Sequence, residues 1–270
     1  MTRGGAEWHH GMDENQRHVT LAAVCLIVGA STAHAETRYF WTDAEGEHYT
    51  RDKPRMVTPY TQVSIPDTVA WRSPPAHTGG STEGAALPAQ DLFKKVAQSV
   101  YWVRSDPTGI SGSSRYGSAI AVSDHEAVTN CHIVAQADAR LTLGATKSGE
   151  GAEAELVAID FDADRCVVKT PSLTLNPVSR IRRYDSLEVG EAVFAVGNPR
   201  GMERTLSDGL ISGLRSQDDA RLIQFTAAIS PGSSGGGLFD AHGNLVAITS
   251  YSLKGAQGIN FAIPAEDFWR

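Results

Sequence analysis

From about Asp91 to Arg270 the chain is a succession of short β-type segments separated by turn residues. Examples are SAIAVS, AVTNCHIV, EAVFAVGN, NLVAITSY and INFAIP. Short strands at this spacing, without long helices between them, predict an all-β barrel or sandwich. About 180 residues are too many for one small barrel and enough for two. One short helix is predicted ahead of the strands, with Leu92, Val96 and Val100 on one face.

The N-terminus has the pattern of an export signal. An apolar run from Val19 to Ala33 follows basic residues and ends in the small-x-small sequence AHA, which is typical of a secretory signal peptide. We therefore expect removal of residues 1–35, with synthesis starting at Met1 or Met12, and a periplasmic or secreted bacterial protein. The run is short for a spanning helix, so no stable membrane insertion of the mature chain is expected.

Two further segments lie between the signal and the strand-rich region. Residues 36–67 contain RYFWTDAEGEHYTRDKP, in which aromatic side chains flank the turn Asp43–Gly46, and this pattern predicts a small β-hairpin unit. The segment resembles a small domain of unknown function at the start of many exported bacterial proteins, for which we expect a structural role or a protein partner. Residues 68–88 are dense in Pro, Gly, Ser and Thr and predict a flexible linker, which leaves 89–270 as the main domain.

Charge and motif content exclude several classes of function. The formal net charge of −7 argues against nucleic acid or an anionic membrane surface as the main partner. The sequence has no phosphate-binding loop, no CxxC pair and no zinc motif, so neither a metal nor a cofactor is expected.

The run SPGSSGGGLF, residues 230–239, is the strongest chemical signal. So much glycine in a strand-rich region needs a reason, because glycine loses the most backbone entropy on folding. An oxyanion hole would supply one, since a tight turn could aim the amides of Gly232 and Ser234 at one point beside the Ser234 hydroxyl. A glycine-rich surface turn is an equally good explanation of this run taken alone.

A nucleophilic serine needs a base and a group that orients the base. Five histidines remain after removal of the signal, and only His132 follows a buried-looking strand, although its partner there could be structural. The other four lie in turns, the linker or the aromatic unit: His48, His77, His125 and His242. Among the acids, Asp164 directly precedes the strand RCVV, whereas Asp160 and Asp162 are more typical of a turn.

His132, Asp164 and Ser234 follow one another in the chain order of chymotrypsin-fold proteases. The segments GSAIAVSD, AVTNCHIV, DADRCVVK, VGEAVFAVGNPRGMERTLSDGLISG, FTAAISPGSSGGGLFDAHGNLVAI and GINFAIP resemble the trypsin-like family, most closely its HtrA/Deg-like bacterial branch. The resemblance covers about residues 88–270 and implies two six-stranded antiparallel β-barrels. Because the chain stops soon after GINFAIP, the PDZ domains usual in that branch are not expected.

The resemblance also implies a serine endopeptidase that acts on proteins or peptides through an acyl-enzyme. Ser234 would be the nucleophile, His132 the base, and Asp164 the residue that orients it, with an oxyanion hole at Gly232, Ser233 and Ser234. Ser233 stands where digestive relatives carry the aspartate used in zymogen activation, so activation by that route is not expected.

Four further residues are assigned by the resemblance to substrate binding. The edge of Ser250, Tyr251 and Ser252 would pair with the substrate backbone. Ala228 aligns with the charged base of trypsin's specificity pocket, so a small or medium apolar P1 residue, the residue before the scissile bond, is expected.

Two cysteines remain outside the signal, Cys131 beside His132 and Cys166 near Asp164. An even pair in an exported protein predicts one disulfide, which would join the two segments that carry base and acid. Two buried free thiols are the alternative.

Two other functions fit parts of the sequence. A non-catalytic or latent binding module on the same fold would keep these residues. A lipase or esterase is disfavoured, because the Gly-x-Ser-x-Gly elbow is absent and the order of the three residues differs.

Overall fold

The structure is a computed structural model that describes residues 36–43, 46–50, 61–65, 85–108, 113–135, 139–146, 151–217, 220–253 and 255–269. The expected signal peptide, residues 1–35, and residues 68–84 of the predicted linker lie outside these ranges. Among the described residues, no helix is long and apolar enough to cross a membrane.

The N-terminal segment forms a three-stranded antiparallel sheet. Strand β1 is Glu36–Asp43, β2 is Gly46–Thr50 and β3 is Thr61–Ile65. β1 is central and pairs with both others, with Asp43 opposite Gly46 at the hairpin turn. The hairpin lies where the aromatic pattern predicts it, whereas the third strand was not predicted.

The first barrel closes in the strand order β4-β5-β6-β9-β8-β7. Its strands are Val100–Pro107 (β4), Arg115–Ala121 (β5), Glu126–Thr129 (β6), Ala139–Gly144 (β7), Ala152–Asp160 (β8) and Arg165–Lys169 (β9). All neighbouring pairs are antiparallel.

The second barrel has the same plan, with the order β10-β11-β12-β15-β14-β13. Its strands are Ala192–Gly197 (β10), Thr205–Gln217 (β11), Ala220–Phe225 (β12), Gly237–Asp240 (β13), Leu245–Ser252 (β14) and Asn260–Pro264 (β15). The predicted fold of two closed six-stranded antiparallel barrels is therefore confirmed.

Helices in the described residues are short. Helix α1 is Ala89–Ala97 and α2 is Cys131–Val134, and three 3₁₀ turns are formed by Tyr184–Ser186, Pro199–Gly201 and Ala265–Trp269. Leu92 and Val96 of α1 are buried as predicted, but Val100 belongs to β4 because the helix ends at Ala97.

Within the described residues, three apolar clusters hold α1 and the two barrels together. One fills each barrel, and the third lies between them and contains residues of α1, both barrels and the last 3₁₀ turn. Leu92, Val128, Phe239 and Phe268 all belong to this third cluster and are fully buried. Close packing of this kind resists relative motion of the barrels, so residues at their junction keep fixed positions.

Candidate active site

His132 and Asp164 are brought together at one end of the first barrel. His132 lies in α2, directly after β6, and Asp164 lies in the turn between β8 and β9. The His132 ring Nδ1 is 2.9 Å from Asp164 Oδ2, and the backbone amide of His132 donates to Asp164 Oδ1 at 3.0 Å. The carboxylate thus fixes both the ring and the backbone of the histidine.

The backbone of Asp164 is in the left-handed region, with φ of 54°. This conformation is uncommon for a residue with a side chain, and Asp and Asn tolerate it best. The Asp164 carbonyl accepts from the amide of Cys131 at 3.4 Å and from Asn130 Nδ2 at 3.2 Å, which holds the turn against the start of α2.

The two competing acids make other contacts. Asp160 pairs with Arg165 and also accepts from the amide of Ala163 at 3.1 Å, so it closes the turn. Asp162 is exposed. Asp164 is the acid that is hydrogen bonded to both the ring and the backbone amide of His132.

Ser250 links Ser234 to this pair. The Ser250 hydroxyl donates to Asp164 Oδ2 at 3.0 Å, and the Ser250 carbonyl accepts from the Ser234 hydroxyl at 2.7 Å. Sequence reasoning assigned Ser250 only to substrate binding. Its contact with the acid joins residues 86 positions apart, and no local pattern signals it.

The loop from Ser230 to Gly236 is held by its carbonyl groups. The Pro231 carbonyl accepts from the Arg200 amide at 2.7 Å, the Gly232 carbonyl from the Ser118 hydroxyl at 2.8 Å, and the Ser233 carbonyl from Thr249 Oγ1 at 2.7 Å. In a trans peptide the N–H points away from the carbonyl of the same plane. The amides of Gly232 and Ser234 are therefore turned away from these partners, and neither donates to an acceptor within the described part of the chain.

Ser233 differs from its two neighbours. Its amide donates to the Ser230 carbonyl at 2.8 Å, and its side chain is buried. Three residues were predicted for the oxyanion hole. The Ser233 amide is already hydrogen bonded to the Ser230 carbonyl, whereas the amides of Gly232 and Ser234 have no acceptor in the described part of the chain.

Glycine at positions 232 and 235 is required by the backbone. Gly232 has φ of 97° and Gly235 has φ of 83°. A Cβ at Gly235 would lie 1.9 Å from the Ser118 carbonyl oxygen, and one at Gly232 would lie 2.8 Å from the Asn198 carbonyl oxygen. The loop therefore has no room for a side chain at position 232, two residues before Ser234, or at position 235, directly after it.

The two cysteines lie beside the acid–base pair. The Sγ atoms of Cys131 and Cys166 are 2.13 Å apart and their Cα atoms 5.0 Å apart. Both residues are buried. The two sulfur atoms thus lie close together beside His132 and Asp164, as the predicted disulfide requires.

The predicted substrate-binding residues fall into two groups. Ser250, Tyr251 and Ser252 end β14, and β15 covers one of its edges, with Tyr251 opposite Phe261. The neighbour on the other side, β13, pairs only as far as Ile248. The Tyr251 ring stacks on Phe261 at 5.0 Å, and burial raises the pKa of its phenol.

Ala228 is exposed and lines a cavity of about 290 Å³ together with Ile229, Ser230 and Ser233. The side chains around this cavity are apolar or hydroxyl-bearing, without an ionisable group. Residues 250–252 do not line it, so the structure does not bring the two predicted parts of the substrate site into one cavity.

Comparison with known proteins agrees with this architecture. Residues 117–248 match the family described as "Trypsin-like peptidase domain". The chain is 39% identical over 153 residues to Protease Do-like 1, chloroplastic, of Arabidopsis thaliana, which covers 52% of this chain and 34% of that protein. It is 30% identical over 262 residues to a relative from Pseudomonas fulva named as a DegP-like periplasmic serine endoprotease, which covers 90% of this chain and 50% of the relative.

Among solved structures, the HtrA-type protease AlgW, determined with a tripeptide, superposes with a TM-score of 0.58 at 31% identity, covering 67% of this chain and 60% of AlgW. The structure of Deg5 gives a TM-score of 0.56 at 28% identity, covering 67% of this chain and 92% of Deg5. The chain spans half or less of the length of the curated relatives it matches. It thus carries a trypsin-like peptidase domain with the chymotrypsin fold, and its homologues are serine proteases of the HtrA and DegP type.

Proposed function

We propose that this chain is a serine endopeptidase in which Ser234, His132 and Asp164 act as a catalytic triad. The observation that carries the proposal is the direct contact of His132 with Asp164, connected through Ser250 to the hydroxyl of Ser234. A base held by a carboxylate next to a serine in a glycine-rich loop is the arrangement that activates a serine hydroxyl.

In the proposed reaction, Ser234 Oγ attacks the carbonyl carbon of the scissile peptide bond while His132 Nε2 takes its proton. Asp164 holds the Nδ1–H tautomer and stabilises the imidazolium. Collapse of the tetrahedral intermediate breaks the C–N bond, and His132 delivers the proton to the leaving amine. Water, deprotonated by His132, then hydrolyses the acyl ester and restores Ser234.

The negative charge of the tetrahedral intermediate would be bound by the amides of Gly232 and Ser234. Neither amide has an acceptor among the described residues, and each is oriented by the carbonyl contact of its own peptide plane, that of Pro231 for Gly232 and that of Ser233 for Ser234. Donors fixed before the reaction cost no reorganisation when charge develops. In the present state the Ser234 hydroxyl donates to the Ser250 carbonyl, so it must rotate towards His132 before attack.

Substrate would be bound as an extra strand beside residues 250–252. β14 extends past the end of β13 there, which leaves an edge for backbone pairing. The absence of an ionisable side chain around Ala228 supports a small or medium apolar P1 residue. HtrA-like relatives solved with peptides support protein or peptide substrates.

Export to the periplasm or the medium is part of the proposal. It is supported by the signal-like sequence of residues 1–35 and by the periplasmic naming of DegP-like relatives. A protein partner for the β1–β3 sheet stays a prediction.

The decisive test is labelling with a fluorophosphonate probe, together with cleavage of unfolded casein. The mature protein should be labelled and cleave casein, whereas Ser234→Ala should do neither. Ser233→Ala is the matched control, because it removes the neighbouring serine and should still be labelled. Labelling of Ser234→Ala would refute the assignment of Ser234 as the nucleophile. A wild-type protein that is neither labelled nor active would favour the non-catalytic binding module.

A further inference from the structure

Ser118 is a residue of the first barrel whose hydroxyl and backbone amide form hydrogen bonds with the second barrel. It lies in β5, its exposed fraction is 0%, and nothing in the proposed reaction uses its side chain. Its backbone amide donates to the Ser234 carbonyl at 2.8 Å. Ser118 therefore contacts the backbone of Ser234, the proposed nucleophile.

The Ser118 hydroxyl joins two segments of the second barrel. It donates to the Gly232 carbonyl at 2.8 Å and accepts from the backbone amide of Asn198 at 2.8 Å and from Asn198 Nδ2 at 3.3 Å. Asn198 is itself buried and precedes the 3₁₀ turn Pro199–Gly201. That turn supplies the Arg200 amide, which holds the Pro231 carbonyl.

Gly232 is thus fixed through the peptide planes on both sides of it. Arg200 holds the plane that contains the Gly232 N–H, and Ser118 holds the plane that contains the Gly232 carbonyl. The residue between the two planes is a glycine with φ of 97°. Glycine gives little resistance to rotation, so the direction of its N–H depends on these two contacts.

We propose that Ser118 is a positioning residue that keeps the Gly232 amide directed at the oxyanion of the reaction. The proposal rests on the proposed function, because an oxyanion forms only if Ser234 attacks a carbonyl. Loss of the Ser118 hydroxyl leaves two partners unsatisfied, the carbonyl of the half-buried Gly232 and the amide of the buried Asn198, and both can then move to find others.

The test compares Ser118→Ala with wild type and with the control Thr129→Val. Thr129 is equally buried and its hydroxyl donates to the Ser118 carbonyl at 2.7 Å, so Thr129→Val removes a buried hydrogen bond of Ser118 without touching Gly232. Fluorophosphonate labelling is followed against probe concentration, well below the unfolding transition of each variant. The dependence on probe concentration gives two separate quantities. The limiting labelling rate depends on the oxyanion hole, whereas the probe concentration at half-saturation depends on how tightly the probe binds.

We expect Ser118→Ala to lower the limiting rate about tenfold or more, with half-saturation within about twofold of wild type. Thr129→Val should lower the unfolding temperature but keep the limiting rate. If Ser118→Ala does not fold, Ser118→Cys, a close match in size with a weaker donor, is measured in the same way and should give a smaller fall in rate.

The two hypotheses fail differently. Ser118→Ala labelled at the wild-type rate, or slowed only as much as Thr129→Val, overturns the role of Ser118 and leaves the protease standing. A wild-type protein that is not labelled overturns the proposed protease function, and with it the proposed role of Ser118.

Discussion

The turn that carries Asp164 and the loop that carries Ser234 belong to different barrels and are held by different kinds of contact. Asp164 is fixed mainly through its own carboxylate, which binds the ring and the amide of His132, and also through its backbone carbonyl, which accepts from the Cys131 amide. The Ser234 loop is fixed through backbone carbonyls and through glycines that admit no Cβ. Substitution in the first region should therefore remove a chemical group, whereas substitution in the second should displace the backbone.

The largest effect is expected at the acid. Asp164→Asn keeps the shape of the side chain but no longer stabilises the imidazolium or its tautomer, so kcat should fall about 10⁴-fold. The measurement is casein cleavage alongside thermal unfolding. An unchanged unfolding temperature would show that the loss is chemical, whereas activity within tenfold of wild type would contradict the role of Asp164.

Gly235→Ala tests the opposite region. A Cβ there would lie 1.9 Å from the Ser118 carbonyl oxygen, so the loop must shift and the Ser234 amide with it. Loss of one aligned oxyanion donor predicts a fall in kcat of about 10²–10³-fold. Gly190→Ala is the control, because Gly190 also has positive φ, 100°, but an added Cβ there meets no atom within 4 Å. Equal losses in both variants would rule out the steric explanation.

The cysteine pair should contribute to stability more than to chemistry. A disulfide between positions 35 apart is worth about 3–4 kcal/mol in the chain-entropy model. The double variant Cys131→Ala with Cys166→Ala should lose stability of that order in denaturant unfolding. Thiol titration of the denatured, unreduced protein should find no free thiol outside the signal, and two would disprove the bridge.

The smallest effect is expected for Ser250→Ala. It removes the hydrogen bond to Asp164 but keeps the backbone carbonyl that receives Ser234 Oγ, so kcat should fall only about threefold to tenfold. A kcat measurement on casein decides this, with Ser252→Ala as the control because the Ser252 hydroxyl donates to Asn260 instead. A loss as large as that of Asp164→Asn would mean that Ser250 holds the acid in place.

The pattern of short strands predicted an all-β barrel or sandwich, and the resemblance to the trypsin-like family implied two barrels and the roles of His132, Asp164 and Ser234. Each of those signals is local or is a matter of chain order. Ser118, Asn198 and the Asp164 contact of Ser250 could not be predicted, because they join segments 80 to 114 positions apart. A serine in a strand looks the same whether or not its hydroxyl crosses to another barrel. The strand Thr61–Ile65 was missed because its pairing with β1 depends on residues distant in sequence.

The apolar cluster between the barrels affects the order of events during synthesis. Leu92, near the start of the domain, packs in the same cluster as Phe268, near its end, and α1 also contacts the second barrel through the Lys95 Nζ bond to the His242 carbonyl at 2.8 Å. Such contacts close very long loops and are therefore slow to form. A ribosome that has made only the first barrel has made His132 and Asp164 without Ser234. The proposed nucleophile and its base therefore meet only after the second barrel has been translated, so a nascent chain that stops before Ser234 holds no complete triad.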